Sequence, residues 1–238
     1  MDLCLHSSSM PDASLDAMIT VCHRHAIGAI ELRLAAWQGH GLTEHAPDVA
    51  CRQVRERLND AGIVLAGLGS TLHVPAKPDD LAAALDLAAR CGAGFLRVFL
   101  AASDTMADRS VGPIEWSDRN ATGVAVLIEN HSAFARLVDL DAASGSDAPL
   151  LWDIGQSAQA GEIESTIPDA VIGRVAHVHL KNGAPGPLRW SPMSLVDGST
   201  DIAAVLRRLR GAGYAGYLSL EVAPALLLRD LAWLEATL

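Results

Sequence analysis

Basic charge is in short supply in this 238-residue chain: 18 Lys and Arg stand against 28 Asp and Glu, a formal net charge of −10. A surface of that sign repels phosphate backbones, so duplex DNA or RNA is not an expected partner. Long apolar runs are missing too. None approaches the ~18 residues that span a bilayer, and the opening MDLCLHSSSMPDAS has neither a basic region nor a long apolar stretch. Neither a membrane span nor a secretory leader is expected, and the cytoplasm is the expected compartment. The cysteines Cys4, Cys22, Cys51 and Cys91 include no C-x-x-C pair. Such spacing suits neither a disulfide framework nor a cysteine zinc site, so buried free thiols are expected. No G-x-G-x-x-G follows the first strand candidate, which disfavours a dinucleotide-binding open sheet. Lysine is nearly absent: Lys77 and Lys181 stand beside sixteen arginines.

Apolar residues, by contrast, make up 50% of the chain and charged residues 19%, enough for a large core and against wholesale disorder. Short apolar runs alternate with longer amphipathic stretches. The strand candidates are 3–6, 29–34, 64–68, 95–100, 124–129, 150–153, 175–180 and 217–222. Helices are expected over 14–26, 48–61, 79–91, 133–142, 201–210 and 225–238, with a weak one over 163–173. Strand–helix alternation means βαβ units and a parallel sheet. Eight units match an α/β (β/α)₈ TIM barrel filling residues 1–238 as a single domain. One unit is defective. The segment AASDTMADRSVGPIEWSDRNATG lacks a helical period and contains Gly112-Pro113, so no full helix is expected after the fourth strand. A loop carrying Ile114 and Trp116, or a second copy of the chain in a homodimer, should cover the wall left bare there.

In such a barrel the chemistry sits at the C-terminal strand ends. The fifth strand ends in Glu129, Asn130 and His131, the sixth in Asp153, the seventh carries His177 and His179, and the eighth ends in Glu221. Four consecutive strands thus offer carboxylate, carboxylate, imidazole and carboxylate at one rim. Each acid alone reads as a loop residue or helix cap. Gathered, they repel one another unless a cation sits among them. Glu129, Asp153, His179 and Glu221 are therefore the expected ligands of one divalent ion. Mixed carboxylate and imidazole ligands suit Mn²⁺, Co²⁺, Zn²⁺ or Fe²⁺ better than Ca²⁺ without choosing among them; Mn²⁺ is the expected ion, with Mg²⁺ also open. His177, two residues before His179, shares its face one layer deeper and reads as structural. Arg97, inside FLRVFL, needs a partner. Glu31 pairing with Arg97 or Arg33 in the barrel floor is one reading, and substrate-anion binding by Arg97 is the other. Lys181 shares the face of His179 and suits a phosphate, a carboxylate or a carbonyl. His73 and His131 are further candidate substrate contacts, and Trp37 and Trp190 candidate pocket walls.

The segments IGAIELRL, FLRVF, VLIENH, LLWDIGQ, VAHVHLKN and GYAGYLSLEV, in this order and spacing, resemble the xylose isomerase-like superfamily of sugar phosphate isomerases, epimerases and AP-endonuclease-type barrels. The resemblance covers nearly the whole chain. It implies a metal held at Glu129, Asp153, His179 and Glu221, and a small carbohydrate-like substrate. Gln156 stands where the family often has a substrate-binding His, and Asn182 where it often has Asp. The implied activity is an isomerase or epimerase passing through an enediolate, with Glu129 and Glu221 as base and acid. A dehydratase on the same scaffold and a non-catalytic metal-binding barrel are the alternatives. An AP endonuclease is disfavoured, because its trinuclear zinc site needs more histidines and carboxylates than the early strands supply.

Overall fold

The computed structural model describes residues 1–102, 122–145, 148–186 and 189–238. Eight parallel strands close into a barrel: β1 (Asp2–His6), β2 (Ala29–Arg33), β3 (Val64–Val74), β4 (Phe95–Leu100), β5 (Ala125–Glu129), β6 (Leu150–Asp153), β7 (Val175–Leu180) and β10 (Tyr217–Leu220). A small antiparallel hairpin, β8 (Asn182–Gly186) and β9 (Arg189–Met193), stands between the last two. The helices are α1 (Leu15–Arg24), α2 (Asp48–Asp60), α3 (Pro78–Cys91), α4 (Leu137–Ser144), α5 (Ile154–Gln159), α6 (Asp169–Ile172), α7 (Ile202–Gly211) and α8 (Leu227–Thr237). The β1–β10 pairing, from Asp2↔Tyr217 to Leu5↔Leu220, completes the ring.

Strand periodicity divides the side chains into two sets. Leu5, Ile30, Leu32, Leu96, Ile128, Trp152, Val178, Leu180 and Leu220 face outward into the main core, under the helices. The helices answer with stripes at helical spacing. In α7, Ile202, Val205, Leu206 and Leu209 are buried, and the Asp201 carboxylate caps the helix by accepting from Ala204 N. In α1, Leu15, Met18 and Cys22 are buried, and Ser14 caps by accepting from Ala17 N. The alternate strand residues face inward. Cys4, Ala29, Ala66, Phe95, Leu127 and Leu151 form a separate apolar cluster that closes the floor of the barrel. Gly67 leaves room for this floor, because a Cβ there would stand 2.2 Å from the Phe95 ring. Gly67→Ala is expected to cost about 1–3 kcal/mol by overpacking, read as a lowered urea midpoint. An unchanged midpoint would mean the ring moves aside freely.

The expected barrel is confirmed, with local differences. β3 runs past Leu68 to Val74. The weak helix over 163–173 is two pieces, a 3₁₀ turn at Glu164–Thr166 and the four-residue α6. α4 begins at Leu137 rather than 133, because a 3₁₀ turn at Ser132–Phe134 precedes it. Neither α5 nor the β8–β9 hairpin is expected from the sequence. The segment expected to lack a helix, with Ile114 and Trp116, lies almost entirely outside the described residues. The four cysteines are buried and free, as expected. Among the described residues, no helix is long and apolar enough to cross a membrane.

Candidate metal centre

Above the apolar floor the barrel interior turns polar. Glu31, fully buried on β2, is its hub. His177 Nε2 lies 2.9 Å from Oε2, and His179 Nε2 lies 3.0 and 3.1 Å from the two oxygens. Ser219 Oγ donates to Oε2 at 2.8 Å, and His6 Nε2 stands 3.6 Å from Oε1. An ionised carboxylate only accepts, so both Nε2 atoms bonded to it carry hydrogens. The expected pairing of Glu31 with Arg97 or Arg33 does not form. Arg97 stands opposite Leu127 of the floor in the β4–β5 register, and its long side chain reaches up to the next layer, where its Nε meets Glu129 Oε2 at 2.9 Å. Gly69 makes room for that guanidinium, since a Cβ there would stand 3.0 Å from Nη2. Arg97 Nη1 also donates to the Ser70 carbonyl at 2.6 Å. His177 lies in the layer below His179, as their spacing predicts.

One layer further up, Glu129, Asp153, His179 and Glu221 each present a ligand atom, all within 4.8 Å of one another. Neighbouring strand ends place them there: β5, β6, β7 and the residue after β10. Asn130 ties two of these ends together. Its amide donates to the Asp153 carbonyl at 3.0 Å, and its oxygen accepts from Asp153 N at 2.6 Å. Asp153 is also the N-cap of α5, accepting from Gln156 N at 3.1 Å. Cap and candidate ligand are thus one residue.

Lys181 adds a cation of the chain's own. Its Nζ stands 2.7 Å from Asp153 Oδ2 and 2.8 Å from Glu221 Oε2. The side chain crosses Gly155, where a Cβ would stand 2.9 Å from Lys181 Cδ. Burial opposes ionisation at every member of this group, and the partners decide the outcome. Arg97 and His179 bring the Glu129 carboxyl down to about 2. Lys181, His6 and His179 hold Glu221 well below the usual carboxylate range. Burial pushes Asp153 up to about 6; Lys181 pulls it down, while Glu129 and Glu221 push it further up. Burial would lower the pKa of His179, but Glu31, Glu129 and Glu221 together hold it well above its usual value.

The donor set fits a divalent cation. With Nε2 committed to Glu31, His179 Nδ1 faces Glu221 Oε2 at 3.1 Å and Glu129 Oε1 at 3.5 Å, and it makes no hydrogen bond. A lone pair cannot rest against two carboxylates in a buried site. Either a proton on Nδ1 or a metal ion supplies the charge between them. Protons and metal therefore compete. Because the Asp153 pKa lies near 6 rather than near 4, its carboxyl starts to take up a proton in mildly acid solution. Mn²⁺ affinity is expected to fall by at least about tenfold for each pH unit below 6, measured by equilibrium titration. A flat profile from pH 7.5 to 5 would contradict this.

The remaining sequence candidates are spread around the mouth. His131 and His73 flank Phe99, with ring centroids 4.6 and 5.3 Å away, and the Arg97 guanidinium lies 4.2 Å from the same ring. Phe99 thus gathers three of the candidates, although the sequence marks it only as a strand residue. Gln156 is in the first turn of α5, half-buried. Trp190 packs over Gly183 in the hairpin, and Trp37 is 56% exposed at the mouth. Asn182 turns away from the metal-ligand cluster. Its amide donates to the Leu195 and Thr200 carbonyls at 2.8 and 2.9 Å, and its oxygen accepts from Gly183 N and Thr200 N. An aspartate has no hydrogen for those two carbonyls, so Asn here serves the loop between β9 and α7.

Residues 19–237 match the model of the xylose isomerase-like TIM barrel family, and the chain belongs to that family. Solved structures agree in fold. The IolI protein, whose crystal structure has a bound zinc atom, is 13% identical with a TM-score of 0.70, covering 100% of this chain and 96% of its own. An L-ribulose 3-epimerase is 16% identical with a TM-score of 0.67, covering 98% of this chain and 86% of its own. A xylose isomerase-like TIM barrel protein from Mycobacterium smegmatis, in complex with magnesium, is 12% identical with a TM-score of 0.68, covering 99% and 96%. At such identities the likeness is one of fold. No curated protein matches by sequence.

Proposed function

We propose that this barrel is a divalent-metal-dependent isomerase or epimerase of a small α-hydroxycarbonyl compound of the sugar type. The observation that carries the reading is the pair Glu129 and Glu221, brought from β5 and the end of β10 to either side of His179 Nδ1. Glu129, Asp153, His179 and Glu221 would hold the ion, and Mn²⁺ is the ion proposed. Once bound, it would supply positive charge to the carbonyl and hydroxyl oxygens of the substrate. The chain's own groups move the proton. One glutamate takes it from the α-carbon and the other returns it. Return to the opposite face inverts the centre, and delivery to the neighbouring carbon moves the carbonyl. Glu221 is the more open of the two, with its side chain 14% exposed against 4% for Glu129. It is assigned the first proton transfer. Arg97 holds Glu129 in place. Lys181 and Gln156 lie beside the cluster, and His131 and His73 flank the rim near Phe99. These four are the proposed contacts for substrate oxygens.

The test is to incubate the Mn²⁺-loaded chain with a panel of ketoses and polyol ketones in D₂O and follow the products by NMR and mass. The reading requires deuterium at the α-carbon and a new isomer or epimer. A product lighter by one water would replace it with the dehydratase. A loaded protein that exchanges no α-proton on any compound would leave a metal-binding barrel without catalysis.

A further inference from the structure

Three cations of the described chain face the barrel interior at or near its mouth. Arg97 is spent on Glu129, and Lys181 on Asp153 and Glu221. The third is Arg33. On β2, Ala29 joins the floor cluster, Glu31 is the hub of the polar layer, and Ile30 and Leu32 face the outer core. Arg33 therefore points inward, at the end of the strand, about 6–7 Å beyond Glu31. Its guanidinium has no acid partner and no hydrogen bond among the described residues, and its Nε is buried without a partner. Beside it stand Trp37, whose ring centroid lies 5.4 Å from Arg33 Cζ and whose surface is 56% exposed, and the His40 ring, which hydrogen-bonds the Arg33 backbone.

The backbone around Arg33 and Trp37 is pinned. Arg33 N donates to Ser7 Oγ at 2.9 Å, and Leu34 N to the Gly69 carbonyl at 2.9 Å. The loop carrying Trp37 is pinned at Gly39, whose N donates to the Pro11 carbonyl at 2.6 Å. Glycine is required there, since a Cβ would stand 2.5 Å from Asp12 backbone atoms. Further on, Glu44 accepts from Thr71 N and Thr71 Oγ1 at 3.1 and 2.7 Å. Of the three cations, Arg33 alone is left without a carboxylate among the described residues, so it is the one placed to meet an anionic group on a substrate.

We propose that Arg33, with Trp37 against it, is an anion subsite at the barrel mouth, and that the substrate is an acidic sugar derivative whose terminal carboxylate or phosphate it takes. This rests on the hydroxycarbonyl reading above and deepens it. The guanidinium supplies a fork of N–H donors that matches either group. Trp37 holds the guanidinium plane and offers its exposed face to the carbon chain. The reacting carbons then extend from Arg33 toward His179, whose ring already touches Glu31.

The probes are D-glycerate, glycerol 3-phosphate and glycerol, titrated calorimetrically into the chain both metal-free and Mn²⁺-loaded. At least one of the two anions is expected to bind and glycerol is not; which anion binds decides between carboxylate and phosphate. Arg33→Gln should weaken that anion by about tenfold to a hundredfold, Arg33→Lys should restore part of the loss, and Mn²⁺ affinity should stay within about twofold in both variants. Equal anion binding by wild type and Arg33→Gln overturns the subsite, as does glycerol binding as tightly as the acids. Turnover of neutral ketoses without Arg33-dependent anion binding would defeat the subsite alone. Arg33-dependent anion binding in a chain that takes up no metal would defeat the isomerase reading alone.

Discussion

Glu31→Ala is expected to destabilise the fold by about 3–5 kcal/mol, a large share of the 5–15 kcal/mol that holds a typical domain together. Glu31 joins β2 to β7 and β10 across the interior through His177, His179 and Ser219, and its side chain is fully buried. Truncation leaves three buried donors without an acceptor. Glu31→Gln keeps the shape but turns an N–H donor toward histidine N–H groups, so it should recover only part of the loss. Urea midpoints of the two variants and the wild type measure this, and a loss below about 1 kcal/mol in Glu31→Ala would show that Glu31 is not the hub. The acid limb gives an independent check. Burial opposes ionisation of Glu31, but His179, His6 and His177 hold its pKa well below the usual carboxylate value. A depressed carboxyl stabilises the fold fully above its unfolded pKa, near 4.3. That contribution is lost as the pH falls through the folded value. Wild type should therefore lose stability between about pH 4 and lower pH by more than Glu31→Gln does.

The second large effect concerns the ion. Glu221→Ala is expected to lower Mn²⁺ affinity by roughly 100-fold or more, since even loss of groups that only orient a ligand costs 10–100-fold. Wild type and variant, loaded and desalted identically, should differ in elemental mass spectrometry as about one metal per chain against almost none. Glu221 lies at the mouth rather than in the floor, so the variant should keep the wild-type circular dichroism. Wild type without metal, or equal metal in both, would remove Glu221 from the ligand set. The variant also releases Lys181 from one of its two carboxylates, which leaves the ammonium held by Asp153.

The barrel was legible because its signals are local. Short apolar runs such as FLRVFL and LLWD occupy the expected strand residues, and chain order alone puts Glu129, Asp153, His179 and Glu221 at adjacent strand ends. Contacts across the barrel were not legible. Glu31 meets His177 and His179 because of how the strands stagger around the ring, and no spacing along the chain encodes that. Arg97 needs a partner, but the sequence does not tell Glu31 from Glu129 as that partner, because the reach of the side chain across layers decides it. The helix α5 escaped notice because IGQSAQ has no apolar stripe; it stands on the Asp153 cap and on the burial of Ile154, Gly155 and Ser157. The β8–β9 hairpin was hidden by Pro185 and Pro192, residues that argue against a central strand but are tolerated in a two-stranded ribbon with free edges. Gly155 is a trace of the Lys181 contact in the sequence, since only glycine leaves room for the Lys181 side chain to cross there.

Lys181 also bears on when in the life of the chain the proposed metal would be acquired. Sites built from uncompensated acids couple folding to ion uptake, and their chains collapse only once the ion arrives. Here the ammonium between Asp153 and Glu221, the guanidinium on Glu129 and the protonated His179 already balance the acids. On the proposed metal reading, the barrel would mature first and take its ion afterwards, by exchanging a tethered charge for a free one. A chelator would then strip the ion without unravelling the barrel, and the supply of divalent ions around the finished barrel, rather than the conditions of its synthesis, would set which one it carries.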